Sequence, residues 1–238
     1  MFIPRKIYPQ LIEHIDKKQI SVITGMRRTG KTTLLKQLLS EIKSSNKLYI
    51  DLERADNRDL FTEKNYENIV YAFSQRGLNF NNKSYIAIDE IQLVTQIASV
   101  LKYIYDHYNI KFIVTGSSSY YLKNLFTESL SGRKKIFELY PLDFGELLTF
   151  KGISYKYNDF SLKKIFAPEF ERLKAYYEDY IEYGGFPEVV LAKNSLDKKD
   201  LIADILSSYI NIDIKTLSDF RNEKNIYSLI KMLSARVG

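Results

Sequence analysis

Lys31 and Thr32 close a glycine-bounded stretch, GMRRTGKT, whose spacing is that of a phosphate cradle. Gly25, Gly30, Lys31 and Thr32 occupy every fixed position of the pattern G-x-x-x-x-G-K-[ST]. Such a loop turns its backbone N–H groups inward onto phosphate oxygens, which takes conformations that a side chain obstructs. Lys31 is then placed to reach β- and γ-phosphates, and the Thr32 hydroxyl to ligate Mg²⁺. Arg27, Arg28, Thr29 and Thr33 complete the expected nucleotide-binding set.

A second group of chemically able residues lies in SYIAIDEIQ, residues 84–92. Asp89 and Glu90 follow an apolar run that reads as a buried strand, and ligands of open α/β sheets bind at the carboxyl ends of strands. There Asp89 would hold Mg²⁺, and Glu90 would orient and deprotonate a water for attack on a γ-phosphate. Two acids at a strand end are commonplace and also suit a helix N-terminus. Downstream of a phosphate loop the functional reading gains weight.

Two further positions follow. The strand pattern IKFIVT runs into Thr115-Gly116-Ser117-Ser118-Ser119. Ser117 is the expected γ-phosphate sensor and Thr115 its substitute, while Ser118 or Ser119 is expected to cap a helix over 120–126. Arg133, after Gly132, is suited to stabilising charge on a transferring phosphoryl group, in cis or from a neighbouring subunit. The bland alternative is a solvated basic run with Lys134 and Lys135.

The elements that must carry these residues alternate between strand and helix. An amphipathic helix is expected over 5–18, with Ile7, Leu11, Ile12 and Ile15 on one face and Pro4 ahead of it. Ile20, Val22 and Ile23 mark a buried strand, and Leu34, Leu35, Leu38 and Leu39 the buried stripe of the helix after the loop. Strands are expected at 47–52, 85–88, 110–115 and 136–139, and helices at 65–76 and 93–108. Beyond Pro141 the chain reads as Tyr-rich and helical, over 143–151, 170–183, 196–214 and 222–233, with a turn at Gly184-Gly185-Phe186-Pro187. The expectation is therefore a three-layer α/β/α domain over 1–141 and a smaller all-helical domain over 142–238.

Composition narrows the classes. The 238 residues are 45% hydrophobic and 27% charged, ordinary for a globular chain with a sizeable core. No cysteine is present, which removes thiolate metal sites and cysteine nucleophiles. His14 and His107 are far apart in sequence, so no histidine-rich metal site or His-based triad is built. No apolar run approaches membrane length and no secretory pattern opens the chain, so a cytoplasmic location is expected. The net charge of +6 comes from scattered rather than blocked basic residues.

On GMRRTGKTTLL at 25–35, IDEIQ at 88–92, TGSSS at 115–119 and LSGR at 130–133, the chain resembles prokaryotic P-loop ATPases of the AAA+ class. More narrowly it is similar to an archaeal and bacterial family whose loop reads G-x-R-R-x-G-K-T. The resemblance extends to the opening Arg5 context, YPLDFGELL at 140–148 and YGGFPEVV at 183–190. It implies a five-stranded parallel sheet with the Thr115 strand between the phosphate-loop strand and the Asp89 strand. It also implies ATP rather than GTP, Walker B roles for Asp89 and Glu90, and a sensor role for Ser117. Family members continue past position 238, so the chain is expected to be part of a longer protein.

Mg²⁺-dependent ATP hydrolysis that drives a conformational change is the leading expectation, with a nucleotide-gated DNA- or protein-binding switch as the alternative. A small-molecule kinase fits less well, because the helical tail offers no acceptor site. ATP and ADP are the expected ligands. A DNA or protein partner and a homo-oligomer are left open, and a membrane is not expected.

Overall fold

The computed structural model describes residues 2–117, 130–155 and 167–214, together with 228–230 and 232. The helix expected over 120–126, its Ser118 or Ser119 cap and most of the helix expected over 222–233 lie outside the described residues.

Five parallel strands, β1 (Ile20–Thr24), β2 (Lys47–Asp51), β3 (Ser84–Asp89), β4 (Ile110–Gly116) and β5 (Lys134–Glu138), form one sheet in the order β2-β3-β4-β1-β5. The strand bearing Thr115 thus lies between the other two, as the resemblance implies. Strand side chains alternate between two apolar layers, as the period of two requires. Val22, Ile86, Ile88, Phe112 and Val114 face one layer, and Ile23, Ala87 and Ile113 face the other. Helices α4 (Tyr66–Gln75) and α5 (Ile97–His107) cover the first face; α1 (Tyr8–His14) and α2 (Lys31–Glu41) cover the second. The central strands β1, β3 and β4 are buried on both faces, which is why they read as mostly apolar runs, while the edge strands β2 and β5 are largely half-buried.

Two local departures from the expected elements have physical causes. The helix expected from Leu93 starts at Ile97, after a single 3₁₀ turn over Ile91–Leu93, because Glu90 takes a left-handed backbone and Val94 an extended one. The polar stretch after β2 folds as a short helix, α3 (Ala55–Leu60). Side chains rather than apolar periodicity hold it: Asn57 donates to the Asp51 carbonyl at 2.7 Å and Arg58 to the Leu52 carbonyl at 2.7 Å.

Beyond the sheet, α6 (Phe144–Phe150), α7 (Ala167–Tyr183), α8 (Pro187–Leu191) and α9 (Ser195–Ser208) follow, and a π-type turn continues α9 over Tyr209–Ile214. Leu142, Leu147, Leu148 and Val190 make a separate apolar core, packed by Tyr176 and Tyr180. A capping box starts α6: the Asp143 side chain accepts from the Glu146 N–H, and the Glu146 side chain accepts from the Asp143 N–H. None of the described helices is long and apolar enough to cross a membrane.

The amino-terminal edge of the sheet holds an unusual buried pair. Lys111 is fully buried on β4, where its ammonium donates to the Gln19 carbonyl and lies 3.2 Å from His14 Nδ1. Burial, helped by the charge of nearby Lys83, pushes Lys111 down to about 7. Burial and then Lys111 push His14 down to about 4. Both values lie below those of the unfolded chain, so the unfolded state binds more protons in each window. Stability is therefore expected to rise with pH from about 4 to 6.5 through His14 and from about 7 to 10.5 through Lys111. Thermal melts across this range should show both rises, and Lys111→Met should remove the upper one.

Candidate functional site: a phosphate-loop cleft

Parallel topology delivers the carboxyl ends of β1, β3 and β4 to one edge, and with them the loop at 25–30, Asp89-Glu90 and Ser117. The loop needs its glycines at both ends. A Cβ on Gly25 would stand 2.1 Å from the Leu139 carbonyl oxygen, and Gly30 has φ 96°, a left-handed value. Between them Arg28, at φ 60°, is one of two non-glycine residues with positive φ among the described residues; Glu90, at φ 58°, is the other. Each conformation costs about 1–3 kcal/mol, and such costs gather at functional sites. Both line the same cleft.

Loop and helix interlock at Met26, whose carbonyl accepts from Thr29 Oγ1 at 2.9 Å and from the Lys31 ammonium at 2.7 Å. Helix α2 begins at Lys31 and no side chain caps it, so its first N–H groups face the loop. Thr32 and Thr33 occupy that first turn. The expected binding residues Gly25, Arg27, Arg28, Thr29, Gly30, Lys31, Thr32 and Thr33 thus fall on one loop and helix start.

Asp89 is buried at 2% exposure and accepts from Tyr49 Oη at 3.0 Å and from Thr115 Oγ1. Burial and then Asp89 hold the Tyr49 hydroxyl above its usual ionisation range, so it remains a donor. Thr115 Oγ1 also accepts from the Glu90 N–H at 3.1 Å, which occupies this hydroxyl with the acid pair. Gln92 joins the other two groups: its Nε2 donates to Glu90 Oε2 and to Ser117 Oγ, the latter at 2.8 Å. Among the described residues, Gln92 Oε1 is buried and has no hydrogen-bond partner.

The cleft encloses about 450 Å³, within the range of small-molecule sites. Arg27, Arg28, Gly30, Lys31, Thr32 and Thr33 form one wall, and Glu90 faces them. Pro187 and Glu188 at the start of α8, with Ser208 at the end of α9, form the third side. Arg28 Nη1 and Glu188 Oε2 stand 3.5 Å apart across it.

Thr32 and Asp89 offer hard oxygens, and Mg²⁺ is commonly held by one or two such protein groups plus substrate phosphates. Among the described residues no group of three or more His, Asp or Glu side chains forms a metal cage of its own.

Arg133 is not brought to this cleft. It precedes β5, where Lys134 pairs with Ile20 at the amino end of β1, and its carbonyl accepts from the Ile20 N–H at 2.8 Å. The loop leaves the other end of β1, four residues and roughly 13 Å away. Its guanidinium is engaged with Asp106, at 2.8 Å and 3.0 Å. The expected role on the phosphoryl group of its own chain is therefore corrected: sequence proximity to β4 misled, because that segment has already returned to the opposite edge.

Tyr49, Gln92 and Glu188 are contacts that motif reading passed over. Gln92 lies inside IDEIQ and Glu188 inside YGGFPEVV, so both were in view. Tyr49 is found only once β2 is known to flank β3, in register from Lys47↔Tyr85 to Asp51↔Asp89.

Residues 17–148, more than half of the chain, match the AAA domain family, and residues 174–238 match a domain of unknown function. An uncharacterized protein of Haemophilus influenzae is 28% identical over 234 residues, covering 96% of this chain and 54% of that protein. One from Methanocaldococcus jannaschii is 31% identical over 215 residues, covering 90% of this chain and 46% of that protein. The chain thus spans about half the length of the curated relatives it matches. Among solved structures, the Walker-type ATPase PABY2304 of Pyrococcus abyssi superposes with a TM-score of 0.56 at 18% identity, over 95% of this chain and 77% of that one. The fold is that of a P-loop ATPase, and the chain belongs to the AAA domain family.

Proposed function

We propose that this chain binds ATP with Mg²⁺ in the cleft and hydrolyses its β–γ bond, using the energy to shift the helical region or a partner. The observation that carries this is that Lys31, Thr32 and Glu90 line one cleft, with Asp89 beside Glu90 at the end of β3. Loop N–H groups and Lys31 hold the phosphates. Thr32 and Asp89 would hold Mg²⁺, which neutralises charge on the phosphate oxygens when bound. Glu90 takes a proton from the attacking water, whose oxygen bonds to the γ-phosphorus as the bond to the ADP oxygen breaks. Tyr49 and Thr115 fix Asp89, and Ser117 registers the γ-phosphate. Because α8 and α9 supply one side of the cleft, a ligand there touches both the sheet domain and the helical region, whose division we place after Pro141.

A second reading is favoured by the grip of Gln92 on Glu90. If that grip persists with nucleotide bound, ATP acts as a slowly turned-over switch for DNA or protein binding. Steady-state phosphate release with MgATP, without and with double-stranded DNA, separates the two. Turnover without DNA supports the first; ATP retention with no release, and DNA binding only in its presence, supports the second. DNA affinity that ignores salt would count against backbone contacts. Under the second reading, Gln92→Ala frees Glu90 and should raise turnover about tenfold, the value of one hydrogen bond to a charged group, while ATP affinity holds; unchanged turnover would count against that reading.

A further inference from the structure

Arg5 lies outside the cleft, yet it is a buried cation with many hydrogen bonds. It is 7% exposed, and its guanidinium makes four hydrogen bonds to three separate segments. Nε and Nη2 donate to the two Glu146 carboxylate oxygens, each at 3.0 Å. Nη2 also donates to the Tyr140 carbonyl at 2.8 Å, and Nη1 donates to the Thr29 carbonyl at 3.0 Å. Glu146 accepts in addition from the Lys6 N–H at 2.7 Å, so its position is fixed from two sides.

The Thr29 contact is the consequential one. A trans peptide is planar, and its C=O and N–H point in opposite directions. Holding the Thr29 carbonyl on Arg5 therefore aims the Gly30 N–H the other way. Gly30 lines the cleft at the start of α2, where N–H groups receive phosphate oxygens. We infer that Arg5 is a positioning residue for the phosphate loop: it orients the Thr29–Gly30 peptide and anchors it to Glu146, at the start of the helical region. A planar five-donor fork suits this task, since one group must serve a carboxylate and two carbonyls in different directions. A lysine point charge meets at most part of it.

The inference rests on the reading of the cleft as a nucleotide site. Its test is calorimetric titration of MgATP and MgADP into the wild type, Arg5→Lys and Glu146→Gln, with thermal melts of each. Arg5→Lys should weaken both nucleotides about tenfold and raise KM with kcat little changed, the sign of binding lost equally from ground and transition states. Glu146→Gln disturbs the same buried pair but keeps an acceptor for Arg5, so it should lower the melting temperature while nucleotide affinity stays within about twofold. Equal weakening by both variants would make Arg5 a stability residue and overturn the inference, as would unchanged affinity in Arg5→Lys. If Arg5→Lys does not fold, Arg5→Gln/Glu146→Gln leaves no uncompensated buried charge and should still show the tenfold loss; wild-type affinity in this pair overturns the inference. A wild type that binds neither nucleotide removes the nucleotide reading itself, a result distinct from any of these.

Discussion

Lys31→Ala is expected to abolish nucleotide binding in practical terms, with ATP and ADP affinity falling about a hundredfold. A charge-assisted hydrogen bond to phosphate contributes about 1.5–3 kcal/mol, and its loss multiplies directly into the dissociation constant. AMP affinity should change little, because in the proposed site the lysine contacts only the β- and γ-phosphates. Folding should survive. The Met26 carbonyl keeps Thr29 Oγ1 as a donor at 2.9 Å, and alanine is favourable in the first turn of α2. Fluorescence titration with labelled ATP, ADP and AMP, alongside a thermal melt, checks all of this. A matching loss of AMP affinity would point to a collapsed loop rather than a missing charge.

Glu90→Gln should do the opposite, leaving ATP bound and stopping its cleavage. Removing a general base costs about 10²- to 10⁴-fold in turnover. Glutamine keeps the shape and takes away the proton acceptor, and it also removes one negative charge from the cleft, so ATP affinity should hold or tighten. The backbone gives a second handle on the same residue. Glu90 has φ 58°, a conformation glycine adopts freely, so Glu90→Gly should be equally inactive yet more stable than Glu90→Gln. Phosphate release and thermal melts on the two variants test base and backbone separately. If Glu90→Gln turns over at the wild-type rate, the proton goes elsewhere and the assigned role is wrong.

Much of the fold was legible because its central strands are buried on both faces. Ile20-Ser21-Val22-Ile23 and Ile110 to Val114 read as apolar runs broken only by Ser21 and Lys111, and all five strands overlap the expected stretches. The loop was legible because its glycines fall at fixed places, and at Gly25 the backbone of Leu139 leaves no room for a Cβ. What stayed hidden depended on a single backbone torsion or on side chains acting over long sequence distances. The left-handed turn at Glu90 delays α5, and no residue type there announces it. Helix α3 rests on Asn57 and Arg58 reaching back to carbonyls rather than on an apolar stripe. Arg5 and Thr29 bond across 24 positions, and Arg5 and Glu146 across 141, distances at which local periodicity says nothing. Arg133 shows the converse, since it is near the carboxyl end of β4 in sequence and at the far edge of the sheet in space.

The most direct test is a single-turnover experiment, with the wild-type chain in excess over γ-labelled ATP and Mg²⁺ present. The cleft as described predicts first-order release of one phosphate per ATP, lost when Mg²⁺ is chelated, when Lys31 is alanine or when Glu90 is glutamine. Bound ATP that stays intact through the same time course would contradict hydrolysis and leave the switch reading in its place.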